Sequence, residues 1–309
     1  MRPTSVPSIR CAFQKWLVPY LGDKPLTAVH NGSVKHLVSA MAAQGLSPKT
    51  ISTYTNLVKT IVASFVDEES GEPLYPRTWR NDILDTPVVD PRKQKTPCLE
   101  VAEIEKMVAE SKGQERMLYI LLASSGLRIS ECLALQRKHI VRLQAGDFRT
   151  LDIVCQVSRD AEIVNYGKTG AAIRQVDLHP SVAQELKVYV LNREANGLVS
   201  GRGKASFRFS SAAGLLFPTR VGTPNLPRNL LRVLQKRTGK AFHSFRRYRE
   251  TWLSEMNCNT DVKNWWMGHT VKDMSGLYSK LSRKVEMRLA EAERVGIGFR
   301  LRNQIVKAS

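Results

Sequence analysis

Tyr278 stands nine residues after His269 of a Gly268-His269 pair and thirty-five residues after His243 in the run His243-Ser-Phe-Arg246. Far upstream, Arg128 lies in Ser125-Gly-Leu-Arg-Ile-Ser-Glu131. Two arginines, two histidines and a tyrosine are the residue types with which a phenol can attack a phosphodiester. A free phenol is a weak nucleophile at neutral pH, with a pKa of about 10. It reacts only where a site holds the phosphate still and neutralises its charge. A guanidinium takes two phosphate oxygens at once, and a histidine donates a hydrogen bond or moves a proton.

Each residue also has a plainer reading. Arg128 follows a glycine at an expected helix start, where backbone N–H groups favour an anion, and Glu131 on the same face can steady it. The pair could equally be a surface ion pair of little worth. His243 and Arg246, three apart, share one face at the start of a helix, and the neighbouring Arg247 and Arg249 read as DNA contacts. His269, in a turn between two helices, could be a capping residue. Tyr278 falls in the stripe Val271, Met274, Tyr278, Leu281, whose spacing also suits a core position. Tyr248 is the rival nucleophile, but two positions from Arg246 it points to another side of the helix. Lys168, among Gly167, Thr169 and Gly170, reads as the tip of a β-hairpin, able to reach a groove and protonate a leaving alkoxide, or as an ordinary exposed lysine.

The charge narrows the substrate. The chain of 309 residues carries a formal net charge of +19. Residues 1–90 hold 9 Lys and Arg against 8 Asp and Glu, whereas residues 91–309 hold 38 against 20. From Ala195 through Arg249 there is no acidic residue, and twelve basic ones, from Arg202 to Arg249, occupy the run. A one-signed field of this kind implies a polyanion, most simply nucleic acid. The basic residues spread over several elements and not along one amphipathic helix, which argues against a membrane surface. No run of 18 apolar residues marks a membrane span, and Met1-Arg-Pro-Thr-Ser-Val lacks the apolar stretch of a signal peptide. Five widely spaced cysteines form neither a disulfide framework nor a zinc motif, so a reducing cytoplasm is expected. Asp152, Asp160, Glu162 and Asp177 are scattered over strands, with no metal-type cluster.

These residues need elements to hold them. Helical periodicity covers Val34–Met41 and Lys49 to about Val66, the latter with Ser47 as N-cap and Pro48 at the first position. The Pro-rich, charged stretch 85–97 reads as an extended linker. Beyond it come helices near 100–111, 115–124 and 128–136. Strand-like alternation follows at 150–157, 161–166 and 172–178. Helices return at 181–194, 227–238, 244–256, 262–267, 271–281 and 284–294, and a tail carries Val295, Ile297, Phe299 and Leu301. The expected fold is mainly α with a small antiparallel β-sheet (α+β).

Order and spacing together carry more than any single motif. Over nearly its whole length the chain resembles the tyrosine recombinase (phage integrase) family. The matching pieces are Ser125–Glu131, Gly167-Lys168-Thr169 with Arg174 and Val176-Asp-Leu178, His243–Arg246, and Met267-Gly-His269 with Tyr278. Leu46–Tyr54 looks like that family's helical core-binding domain. Arg247 stands where the family often has histidine, outside the six. The resemblance implies a two-domain DNA clamp: a helical, SAM-like core-binding domain over 1–85, a linker over 86–98 and a catalytic domain over 99–309 with a C-terminal docking tail. It implies an active site of Arg128, Lys168, His243, Arg246, His269 and Tyr278, with Tyr278 the nucleophile. It further implies no cofactor or metal, double-stranded DNA as substrate, a tetramer on DNA in which the tail docks on a neighbour, and accessory DNA-bending or directionality proteins as further partners. The activity implied is site-specific recombination, for integration or excision of a mobile element. Xer-type dimer resolution, a type IB topoisomerase-like relaxer and a non-catalytic DNA binder are the alternatives. About twenty residues precede Tyr20-Leu-Gly22, fewer than the arm-binding domain that phage-type members often carry.

Overall fold

The computed structural model describes residues 6–90, 92, 96–141, 148–165, 173–195, 214–269 and 280–301. Lys168 and Tyr278 lie outside them, as do Arg202, Lys204 and Arg208. The chain forms two compact units, Met1–Lys95 and Thr96–Ser309.

The first unit is helical: α1 (Val6–Ala12) running on through a π-helical turn into α2 (Val18–Leu21), then α3 (Asn31–Ala43), α4 (Pro48–Ala63) and the short α5 (Asn81–Leu84). Ser47 caps α4 as its sequence predicts, its Oγ accepting the Thr50 N–H at 3.3 Å with Pro48 next in line. Ile51, Val58 and Val62 of α4 pack with Val34, Leu37, Val38 and Met41 of α3 and with Trp16 and Leu17. Helix α4 stops at Ala63, so Phe65, expected on its apolar face, is exposed instead.

The second unit is built around α7 (Gly113–Ser125), preceded by α6 (Val101–Glu110). Met117-Leu-Tyr-Ile-Leu-Leu-Ala-Ser-Ser125 is apolar on every side, and every one of those residues is buried, as a helix without a polar face must be. The short α8 (Ile129–Leu133) follows, reaching less far than the helix to Gln136 that its sequence suggests. Then come β1 (Ile140–Val141), β2 (Thr150–Ile153), β3 (Cys155–Val157), β4 (Ile163–Asn165) and β5 (Arg174–Asp177). After the strands lie α9 (Pro180–Ala195), α10 (Pro227–Thr238), α11 (His243–Glu255), α12 (Thr260–Met267) and α13 (Val285–Val295).

The expected strand 150–157 divides between two sheets. Its first half, β2, is the centre of an antiparallel sheet ordered β1-β2-β5, with Ile153 opposite Arg174 and Thr150 opposite Asp177. Its second half, β3, pairs with β4. Among the described residues β4 and β5 therefore do not form the hairpin expected across Lys168. The hairpin turn comes earlier, where Ser158 N–H donates to the Glu162 carbonyl at 2.8 Å and Ser158 Oγ accepts the N–H groups of Asp160 and Glu162. A serine bonding its own backbone two and four residues on closes a turn without glycine.

The tail differs from its expectation. Val295, Ile297 and Phe299 are buried in the core of their own unit, with Leu301 packed against it. Trp252 Nε1 donates to the Val295 carbonyl at 2.8 Å and Arg249 Nη1 to that of Gly296 at 2.7 Å. Gly298, at φ 85°, lies so close to Tyr248 and Trp252 that any side chain there would collide with them. The apolar residues assigned to a neighbouring protomer are thus consumed in cis, because α11 presents donors and an aromatic face for them.

Candidate active site

The site is organised by a corner between α7 and α8. Gly126 ends α7 at φ 67°, and a Cβ there would sit 2.6 Å from Met267 Cε. Only glycine suits both the left-handed backbone and that contact. The corner delivers Arg128 to the residue just ahead of α8, with Glu131 one turn inside. Glu131 Oε2 accepts the Arg128 N–H at 2.9 Å, and its Oε1 accepts Arg128 Nη1 at 2.8 Å. This is a helix-capping carboxylate that also fixes the guanidinium of Arg128, a side chain 42% exposed.

Glu131 itself is fully buried, and its far side meets the buried Arg174 of β5 through bonds of 3.2 and 3.0 Å. Burial alone would raise the Glu131 carboxyl, but Arg174, and then Arg128, overcome it and hold it at about 2. Arg174 also donates through Nε to the Trp266 carbonyl at 2.8 Å. Its role is structural, and the sequence carried a signal for it: an arginine on the apolar face of an alternating strand, in line with buried Val176.

Arg246, on the first turn of α11, is 3% exposed. Its Nη1 donates to the Gly126 carbonyl at 3.0 Å and its Nη2 to the Met267 carbonyl. One guanidinium therefore ties the corner that precedes Arg128 to the end of α12 that precedes His269. Arg246 has no carboxylate ion partner among the described residues. Burial, then Arg128, lower it to about 10, with Glu131 and Glu250 in partial opposition; it stays charged at neutral pH. A buried cation beside a second cation, with no neutralising partner, is a seat for an anion.

His243 opens α11. Its pKa is lowered by burial and then by Arg247, Arg246 and Arg128. His269 follows Gly268, the left-handed cap of α12, and its N–H donates to the Asn264 carbonyl at 3.0 Å. Burial lowers its pKa, Glu250 acts against that, and Arg246 and Arg128 reinforce it. His243, Arg246 and His269 thus all feel the charge of Arg128, and both histidines that of Arg246. Lys168 and Tyr278, the remaining two of the six, lie outside the described residues. The rival Tyr248 is sealed in the core: its hydroxyl is buried without a partner and its pKa is pushed up to about 12 by burial.

The two arginines read as DNA contacts differ in setting. Arg249 is buried and holds the tail carbonyl, and Arg247 donates to the Pro97 carbonyl at 3.0 Å. Of the long basic run, Arg237 pairs with Glu115 and Lys240 with Glu103. Arg228, Arg232 and Lys236, four apart along α10, are exposed and make no ion pair among the described residues. They form a free basic face on α10.

A second buried ion pair lies behind the site. Asp177 of β5 accepts Arg288 Nε at 2.7 Å, Trp266 Nε1 at 2.8 Å and Thr150 Oγ1 at 2.9 Å. Arg288 of α13 also donates to the carbonyls of Leu281 and Ser282 and, through Nη2, to Gln175 Oε1 at 2.8 Å. It therefore anchors the chain three residues past Tyr278. Sequence reasoning treated Asp177 as one of several scattered carboxylates and passed over Arg288. Its position in the stripe Leu281, Val285, Arg288, Ala292, Val295 was the available signal. Among the described residues no three His, Cys, Asp or Glu side chains gather as a metal site, and no helix is long and apolar enough to cross a membrane.

A mainly helical fold with small antiparallel sheets is the fold of the tyrosine recombinases. The phage integrase family model matches residues 97–284, and the chain belongs to that family. Solved structures with this fold include the Tn1549 transposon integrase in complex with a circular intermediate DNA, at 18% identity over 93% of this chain and 94% of that one, TM-score 0.65. The XerH site-specific recombinase bound to palindromic difH substrate matches at 16% identity over 90% and 76%, TM-score 0.56. A lambda integrase dimer bound to a COC′ core site matches at 13% identity over 89% and 91%, TM-score 0.56. No curated protein matches the sequence.

Proposed function

We propose that this chain is a site-specific DNA recombinase that cleaves and rejoins strands through a 3′-phosphotyrosyl intermediate. The observation that carries the reading is the buried, carboxylate-free Arg246, fixed by backbone carbonyls beside Arg128 and supported by His243 and His269. Arg128 and Arg246 grip the non-bridging oxygens of the scissile phosphate, and the two histidines add donors as charge grows in the transition state. Tyr278 attacks phosphorus, and Lys168 protonates the departing 5′-oxygen. The 5′-hydroxyl of a partner strand then attacks the phosphotyrosine and releases the phenol. Bond energy stays in the covalent link, so the chemistry calls for neither a metal nor a nucleotide cofactor.

Residues 1–85 serve as the core-binding domain, and the exposed stripe of α10 takes phosphate or groove contacts. Four protomers assemble on DNA in the cytoplasm, with DNA-bending or directionality proteins as accessories. Any segment handed to a neighbour begins beyond Leu301, since the tail before it is packed in cis. Integration or excision of a mobile element is the favoured role, supported by the fold match to a transposon integrase along 94% of that chain.

The test is covalent capture on nicked duplexes. The native protein forms SDS-resistant protein–DNA adducts, insensitive to chelator, and Tyr278→Phe forms none. Adducts that survive in Tyr278→Phe would show another nucleophile. Binding without adducts in the native protein would mark a non-catalytic binder, and loss of cleavage in chelator a metal nuclease. Plasmid relaxation without two-site exchange would mark a topoisomerase. Exchange confined to directly repeated sites on one multimeric plasmid would favour Xer-type resolution.

A further inference from the structure

Strand β5 serves the site from both of its ends. Its first residue, Arg174, holds Glu131 and, through it, Arg128. Its last residue, Asp177, holds Arg288 of α13. Trp266 joins the two ends, since its carbonyl accepts Arg174 Nε and its Nε1 donates to Asp177. Arg288 is fully buried, and the five N–H groups of its guanidinium are matched by five hydrogen bonds. Nε and Nη2 donate to Asp177, Nη2 also to Gln175 Oε1, and Nη1 to the carbonyls of Leu281 and Ser282. Residues 280–283 are helical, and the helix stops there. The last carbonyls of a helix have no partners within it, and Arg288 supplies donors to two of them. Leu281 is itself buried in the core of the unit, three residues past Tyr278 in the sequence.

We propose that Arg288 is a positioning residue for Tyr278: anchored on Asp177, it fixes the chain just past the nucleophile relative to the strand that also fixes Arg128. This rests on the recombinase reading of the site. A phenol attacks phosphorus only within a narrow range of distances and angles, and a displacement of about 1 Å costs on the order of a hundredfold in rate. The phosphate-binding Arg128 and the nucleophile belong to segments far apart in the sequence, and they come into register only through a common support. β5 is that support, with one buried ion pair at either end. A buried pair adds little net stability over apolar side chains of the same volume. What Arg288 adds, and an apolar side chain could not, is a grip on two main-chain carbonyls. Arg288 is a positioning and not a catalytic residue, since it acts through that main chain.

The experiment compares the native chain with Arg288→Met, Arg288→Lys and the double variant Asp177→Asn/Arg288→Met. The double variant removes both charges, so no buried carboxylate is stranded, and Asn keeps an acceptor for Thr150 and Trp266. Arg149→Met is the control: Arg149 ties α13 from outside through Glu293 at 3.0 Å and makes no hydrogen bond to Leu281 or Ser282. The first arm measures adduct formation on nicked duplexes with a randomised core, from which covalently captured members are retained. At saturating DNA the double variant reacts about 10- to 100-fold more slowly, while its affinity for duplex DNA is unchanged. Arg288→Lys, which keeps part of the donor set, recovers part of the rate. Arg149→Met reacts at the native rate even where its melting temperature falls. The second arm is fluorine NMR of protein carrying 3-fluorotyrosine at its eight tyrosines, with the Tyr278 signal identified by its loss in Tyr278→Phe. That signal moves in the double variant and stays in place in Arg149→Met, while the Tyr119 signal from α7 stays in place in both. A native rate in the double variant, a parallel loss of affinity and rate, an unmoved Tyr278 signal, or an equal slowing in Arg149→Met would overturn the proposal. Absence of any adduct from the native protein would instead defeat the recombinase reading, and the fluorine signal would still decide whether Arg288 fixes Tyr278.

Discussion

Arg174→Met removes the partner that keeps Glu131 ionised inside the protein. Glu131 and Arg174 are both fully buried and joined by two bonds. Breaking such a pair from one side costs about 3–5 kcal/mol, because the remaining charge has no solvent to turn to. Glu131 keeps Arg128 as a neighbour, which places the cost near the lower end, about 3 kcal/mol. The lost donation from Arg174 to the Trp266 carbonyl adds about 1 kcal/mol. In a unit of this size each kcal/mol moves the melting temperature by about 2–4 °C, so calorimetry should show the transition of the 96–309 unit lowered by about 8–16 °C. The pH dependence carries a sign. Glu131 is held at about 2, below its ordinary value, so in the native protein it stabilises the fold above the ordinary carboxylate range, a contribution lost as pH falls toward 2. Without Arg174, burial prevails and raises the carboxyl. The destabilisation of Arg174→Met relative to native should therefore shrink as pH is lowered and the stranded carboxyl takes up a proton. Pairing it with Glu131→Leu should recover part of the loss. A shift under 2 °C, a defect that grows toward acid pH, or a double variant worse than the single one would refute this account.

Other outcomes follow from the same geometry. Gly126→Ala should destabilise the unit by about 1–3 kcal/mol and slow adduct formation, since the left-handed corner and its contact with Met267 position the carbonyl that holds Arg246; unchanged melting would speak against it. Neutralising Arg228, Arg232 and Lys236 together should flatten the dependence of DNA affinity on salt by about 0.9 in log–log slope for each phosphate that no longer meets a cation, without altering the melting temperature. An unchanged slope would move the interface off α10. His139, His179, His243 and His269 all have pKa values lowered, foremost by burial. Their contribution to stability should be complete above the ordinary histidine range and decline as pH falls through the lowered values; a melting temperature that rises on acidification from pH 7 to 5 would contradict that sign.

The sequence by itself determined the chemistry on offer. Arg128, His243, Arg246 and His269 stood out as candidates by type and spacing, each at a helix start or a glycine corner, and the family resemblance joined them into one proposed site. The one-signed charge of residues 195–249 was equally legible as a requirement for a polyanion, and so was the capped helix α4. What the tertiary structure decided was the partner of each charge. Arg249 became an internal tie, Arg237 and Lys240 were spent on α6 and α7, and Arg228, Arg232 and Lys236 of α10 were left exposed. Arg174 and Arg288 emerged as the buried anchors of Glu131 and Asp177, each joined across more than forty residues of chain. The strand 150–157 split between two sheets, and the tail packed onto its own unit. Periodicity reports which side of an element is buried, but an ion pair or a strand pairing depends on which distant segment arrives opposite, and that is set only when the whole chain packs.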